Sequence, residues 1–425
     1  LTRQIRLHAF EMATIGHIQQ GLWRHPRDCA RRYTDLGHWV SLAQTLERGL
    51  FDGLFLADVL GIYDVFGASP AAALRHAVQI PNLDPSYLVP AMAHATTHLG
   101  FAITVNTAAD HPFTTARRFS TLDHLTNGRI GWNVVTGYLD SAARALGLPG
   151  QADHDSRYDA ADAVLDALQK LWRESWEDGA VLPPGGDYAD PAKIHPVTAK
   201  AEDWRTDAIH LCEPSLQRSP VIYQAGASAR GLQFAARHAE CVFVNATTPP
   251  QVARLVADLR GAAAAQGRTL RVLAGMTIVV APTQAEAEDK CADYERYADA
   301  EAAFVHSAGS MGIDFAALAE DDSLPTAPTQ AISSNLAALP PLTKAGFRAR
   351  LRLGGRQVPV VGSPAQVADA MQGWMSQADL DGFVLARTVT PECFADIVDL
   401  VVPELQRRGA YKMAYAGGTL REKLQ

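Results

Sequence analysis

Cysteine is scarce in this chain, and long apolar runs are missing from it. Cys29, Cys212, Cys241, Cys291 and Cys393 are odd in number, widely scattered and never form a CxxC pair among the 425 residues. That spacing excludes a disulfide framework and points to free thiols in a reducing cytoplasm. No apolar stretch reaches the 18 residues of a membrane span, so none is expected. The first residues, LTRQIRLHAFEM, lack the charged-then-apolar pattern of a signal peptide, and the expected location is cytoplasmic. Basic residues are outnumbered, 38 Lys and Arg against 46 Asp and Glu, for a net charge of −8. A general nucleic-acid binder needs clustered positive charge and is not expected here.

Several catalytic signatures are also absent. No GxGxxG nicotinamide fingerprint occurs, and Leu232 stands where a Walker A loop needs Lys. The stretch GASARG departs from a serine-hydrolase elbow at Arg230. In HATTH, His94 and His98 have zinc-ligand spacing, but Ala95 replaces the Glu of a zincin. No metal site is expected.

What the chain does have is alternation. Apolar runs at 5–10, 53–58, 100–108, 129–136, 220–226, 241–246, 272–281 and 382–386 read as strands. Between them, 36–48, 115–126, 159–175, 228–238, 249–266, 363–377 and 391–408 carry helical spacing. Asp159 and Ser363 read as helix starts, with Pro364 at a first helical position. Eight strands alternating with helices predict an α/β fold, a closed (β/α)8 TIM barrel, with an open doubly wound sheet as the alternative. One domain over 1–425 is expected, with insertions at about 177–219 and 299–362 that are rich in loops.

The strand ends are polar. NGRIGWNVVTGY (127–138) finishes in Asn133, Thr136 and Tyr138, although buried parallel strands are usually apolar throughout. FLAD ends in Asp58, either a structural cap or a ligand contact. ITVNTAADHPF sets Thr104 and Asn106 on one strand face, with His111 in the loop beyond. HDSRYDAAD spaces His154 and Tyr158 by one helical turn. In QAGASARGLQFAARHAE a strand ends at Gly226 and Ser228 opens a helix, with Gly231 one turn in. That turn suits a phosphate, or is simply a tight capped corner.

With FDGLFLADVLG (51–61), QIPNLDP (79–85), LWRESWEDGAV (171–181) and GSMGID (309–314), these stretches extend over nearly the whole chain. Together they resemble the two-component flavin-dependent monooxygenases of the bacterial luciferase-like superfamily, in the branch of nitrilotriacetate, dibenzothiophene-sulfone and long-chain alkane monooxygenases. The resemblance implies a luciferase-like barrel using FMN as FMNH2, supplied by a separate NAD(P)H:FMN reductase. It further implies O2 as co-substrate, a flavin peroxide at C4a or N5, a small organic substrate, and a homodimer or homotetramer. By motif position, Asp58 and Thr104 would contact the flavin, while Asn133, Thr136 and Tyr138 would flank its ring and ribityl chain. His154 and Tyr158 would lie near the phosphate, with Ala227 and Ser228 on it. His17, Tyr63, Gln79, Asn106 and His111 follow the first three strands and are candidates for the reaction pocket, His17 as acid or base. Gly137 stands where the branch commonly has Ser, and Ala145 where Asn is usual. Two rival readings remain: a deazaflavin-dependent hydride-transfer enzyme, and an enzyme that degrades riboflavin or FMN itself.

Overall fold

The computed structural model describes residues 3–226, 228–245, 248–325, 329, 331–332 and 340–425. Eight parallel strands close into a barrel: β1 Arg6–Met12, β2 Gly53–Ala57, β3 Gly100–Asn106, β4 Ile130–Val135, β5 Val221–Gln224, β6 Cys241–Val244, β7 Arg271–Val280 and β8 Gly382–Ala386. Each pairs with its neighbour in sequence order, and Arg6 of β1 pairs with Gly382 of β8 to complete the ring. All eight expected strands are present, within a few residues of their expected ends.

Period-two alternation divides the side chains between two cores. Inward-facing Phe55, Ala102, Tyr223, Phe243 and Val384 fill the barrel, and Leu420 and Leu424 of the helix Leu420–Leu424 pack onto them from below. Outward-facing residues meet the helical layer. Trp132, between inward Gly131 and Asn133, stacks on Phe119 at 4.9 Å and donates through Nε1 to Val105 O at 3.0 Å.

The helix expected to begin at Asp159 begins one turn and more earlier, spanning His154–Glu174 behind Asp153. The start at Ser363 is as expected: Ser363 and Gln366 form a reciprocal cap, with Pro364 in the first turn. The helical stretch 391–408 is interrupted by a π turn at Ile397–Val401. Pro403, just beyond, has no N–H to continue the α ladder.

The excursion 177–219 carries an antiparallel hairpin, Val197–Lys200 with Arg205–Ala208. Trp176 Nε1 donates to His210 O at 2.8 Å, and the His210 ring meets Ser120 Oγ at 2.9 Å, which ties the excursion to the helix Pro112–Leu125. The stretch 299–362 supplies the helix Ala300–Met311, buried at nearly every position, and a short strand Val360–Gly362 that joins β7 in parallel. None of the described helices is long and apolar enough to cross a membrane.

Candidate active site

The C-terminal strand ends, where α/β barrels place their chemistry, open onto two cavities. The first, about 180 Å³, is bordered by Asp58, Thr104, Asn106, Thr136, Tyr138 and Tyr158, with His154 and Ser228 at its edge. The second, about 510 Å³, lies over β1, β6, β7 and β8 and reaches the stretch 347–358. Eight of the expected residues therefore share one cavity, although they come from five separate segments.

At one side of the first cavity, Ser228 caps the helix Ala229–His238, its Oγ accepting from Gly231 N at 3.0 Å. A Cβ at Gly226 would overlap Gln224 Nε2 and the Tyr158 hydroxyl, and one at Gly231 would lie 3.0 Å from both Ser228 Oγ and that hydroxyl. A larger residue at 226 would displace those two side chains, and one at 231 would press on its neighbours. Gln224 Nε2 donates to Tyr158 Oη at 3.4 Å, while Gln224 Oε1 is buried with no donor among the described residues. His154 sits on Asp155 at 2.7 Å. Arg157, also on the cavity wall, donates to Ala152 O at 2.7 Å. Ala227 lies outside the described residues.

Deeper in the barrel, Asn133 Nδ2 donates to Thr104 Oγ1 at 2.9 Å, and Asn133 Oδ1 is buried without a donor among the described residues. Asn106 turns back on its own loop, its Oδ1 accepting from Ala108 N at 2.9 Å. Gly137 has a φ of 75°, and a Cβ there would lie 2.8 Å from Asn106 Nδ2. Glycine at 137 is thus matched to this Asn106 pose. Burial, reinforced by the Asp84 carboxylate, pushes the Asp58 carboxyl up to about 7, and Asn82 Nδ2 donates to it at 3.1 Å.

Between the cavities stands a buried polar wall. Tyr63 Oη donates to Gln79 Oε1 at 2.9 Å and is in short contact with the Tyr138 hydroxyl. Each phenol has one proton, so Tyr138 donates to Tyr63. Gln79 Nε2 lies 3.4 Å from His306 Nε2, which must accept. Gln79 reaches this position from a left-handed backbone, φ 52°, a conformation that persists only where surroundings impose it. Burial, then the Arg356 charge, holds His306 down to about 3, and burial raises Tyr138 to about 12. His17 packs edge-on against Phe10 at 4.6 Å, and neither of its ring nitrogens has a partner among the described residues. Burial, then Arg387, keeps its imidazole neutral, well below the usual range.

The expected pocket residues therefore divide. His17, Tyr63 and Gln79 form the wall, and Asn106 belongs to the first cavity. His111 joins neither. It caps the helix Pro112–Leu125, with Nδ1 accepting from Phe113 N at 3.2 Å and Nε2 against Arg205 O at 3.1 Å. Both nitrogens are consumed by structure. Arg157, His306 and Arg356 were missed. Arg157 shares a helix face with His154 and Tyr158, at i+3 and i+4, a spacing that would have found it. His306 and Arg356 come from the second insertion and carry no local signal.

The profile of the family described as luciferase-like monooxygenase matches residues 15–379. The long-chain alkane monooxygenase of Geobacillus thermodenitrificans is 45% identical over 100% of this chain and 94% of its own length. The dimethyl-sulfide monooxygenase of Hyphomicrobium sulfonivorans is 41% identical over 100% of this chain and 91% of its own. Among solved structures, a riboflavin lyase with modified FMN and riboflavin superposes with a TM-score of 0.94 at 36% identity, covering 99% of this chain and 95% of that one. With the closed barrel and its ring of polar strand ends, these matches show that the chain belongs to the luciferase-like monooxygenase family and is a flavin-dependent monooxygenase.

Proposed function

We propose that the chain binds FMN in the first cavity, receives it reduced from a separate NAD(P)H:FMN reductase, and uses O2 to oxygenate a small organic molecule in the second. The observation that carries this reading is the chemistry of the first cavity's donor set. The Ser228-capped helix N-terminus offers backbone N–H groups and the positive end of a dipole, which suit a phosphate. Gly226 and Gly231 let the backbone approach it closely. Gln224 Oε1, on the cavity wall, and Asn133 Oδ1, next to Thr104 of that wall, are buried acceptors that the N–H and hydroxyl groups of a flavin would satisfy. Thr104, Thr136, Tyr138, His154 and Tyr158 would complete the cradle. The residues present fit FMN.

When bound, reduced FMN supplies the electrons that activate O2. The chain's part is to bind, orient and exclude water. Tyr138 borders the first cavity and His306 the second, so the Tyr138–Tyr63–Gln79–His306 chain joins the two by hydrogen bonds alone. His17, held neutral by burial and with neither ring nitrogen partnered among the described residues, offers one N–H donor and one acceptor nitrogen to a reacting group. Incubation with chemically reduced FMN, ¹⁸O₂ and a panel of alkanes, dialkyl sulfides, sulfones and aminopolycarboxylates tests the reading. One labelled oxygen in the product, and no NADH oxidation by the chain alone, is the expected result. Rapid NADH oxidation by the chain alone would overturn the need for a reductase.

The likeness to a riboflavin lyase at TM-score 0.94 supports a second reading, in which a flavin is also the substrate. Cleavage of added riboflavin in the same incubation, with the whole panel untouched, would favour it.

A further inference from the structure

The second cavity is bordered by a charge that no group among the described residues balances. Its walls are largely apolar, built from Phe10, Phe243, Phe347, Leu351 and Val384, yet Arg356 borders it too. Arg356 is half-buried, and among the described residues it makes no side-chain hydrogen bond and no ion pair. The residues outside the described set include no Asp or Glu. The ionisable groups that feel its charge are Tyr63, Tyr138 and His306. Burial keeps both phenols protonated and the imidazole neutral, so none is a counter-ion.

Other guanidinium groups in the interior are treated differently. Arg129 donates to the carbonyls of Ala93, Thr96, Leu99 and Thr126 at 2.8–3.1 Å. Arg387 holds Glu11 at 3.0 Å and Ile15 O at 2.8 Å. Arg352, which also borders the cavity, is paired with Glu295. Withdrawing a cation from water without such partners is costly, and burial accordingly makes the Arg356 guanidinium easier to deprotonate than usual. Arg350 adds a second, exposed cation to the lining.

We propose that the second cavity takes an organic anion, its apolar body against the aromatic wall and a carboxylate, or an oxyanion of like shape, on the planar fork of Arg356. The fork presents paired N–H donors that match a carboxylate bidentately, and the apolar surroundings strengthen the pair. The inference rests on the monooxygenase reading only in taking the anion to be the substrate; binding itself is independent of it.

The test is calorimetric titration of the chain, with and without FMN, using octanoate and methyl octanoate, which differ in charge but share a body. Octanoate is expected to bind at least about tenfold more tightly than the ester. Arg356→Met should weaken octanoate by at least about tenfold and leave the ester within about threefold, while Arg356→Lys keeps part of the preference. Equal affinity for the two probes in the wild type, or no octanoate binding, overturns the proposal whatever the variants do. Loss of FMN binding in Arg356→Met with the octanoate preference intact would assign the guanidinium to the cofactor and also overturn it. Failure of the wild type to bind FMN would instead sink the cofactor reading, since the probe comparison is made on the chain alone as well.

Discussion

Asn133 and Thr104 face each other across β3 and β4, the Asn133 amide donating to Thr104 Oγ1 at 2.9 Å and holding its own carbonyl oxygen in a buried position with no donor among the described residues. The hydroxyl thus fixes which way the amide points, and so which group it offers to a ligand. Thr104→Val keeps the volume and removes the anchor. FMN affinity should fall about five- to tenfold, near 1–1.5 kcal/mol, and the melting temperature should fall as well, because the buried Asn133 amide loses its acceptor. Fluorescence titration checks it, and an unchanged dissociation constant would remove this pair from the cofactor site.

The corner at 226–231 should discriminate by phosphate. FMN is expected to bind clearly better than riboflavin, and Ser228→Ala should cost FMN about 1–2 kcal/mol, the scale of a hydrogen bond to a charged group. Riboflavin should be nearly indifferent to the same change. Equal losses for both ligands would show that Ser228 acts only as a helix cap.

Gly226→Ala should be more damaging than Ser228→Ala, because its new Cβ overlaps Gln224 Nε2 and the Tyr158 hydroxyl. Both side chains must move out of the cradle, so FMN binding should weaken by more than about tenfold. A circular dichroism melt separates this from general unfolding, and near-normal FMN binding would refute the close-packed corner.

The raised Asp58 carboxyl, at about 7, makes a signed pH prediction. Between the usual aspartate value and about 7, the folded chain binds a proton that the unfolded chain has released. Stability from this group is therefore present at low pH and lost as pH rises towards about 7. Relative to wild type, Asp58→Asn should gain stability over that window and run parallel above it. Denaturant midpoints of the ligand-free protein at pH 5, 6, 7 and 8 would show it; a constant difference across all four would contradict the shift.

The wall should carry turnover rather than cofactor affinity. Tyr63→Phe interrupts the hydrogen-bond chain and His17→Ala removes the uncommitted imidazole. Each should lower product formation by at least about tenfold, with FMN affinity within about threefold. If His17→Ala abolishes FMN binding instead, the imidazole holds the cofactor.

Much of this was legible because apolar runs with polar ends leave a local trace. The strand ending in Asn133 and Thr136 breaks the apolar rule just where the cavity begins. The Ser363-Pro364 start declares itself by residue type. What stayed hidden depends on distant chain. His306 lies beyond 200 residues from Gln79, and only the folded insertion brings them to 3.4 Å. His111 looked chemical because a histidine that caps a helix and one that moves protons share a sequence context. The hairpin at 197–208 was invisible, since four-residue strands such as VTAK and RTDA are too short for an alternation to stand out.

The seam at which Arg6 of β1 meets Gly382 of β8 bears on how the chain is made. During synthesis β1 can pair with β2 early, but its other edge stays open until β8 emerges, and the floor residues Leu420 and Leu424 come later still. Partly made chains therefore carry an exposed parallel edge and an unsealed aromatic interior, the two features that invite wrong pairing between neighbours. Ribosome-bound chains ended before residue 382 should bind a general chaperone, and those extended past the floor helix should not.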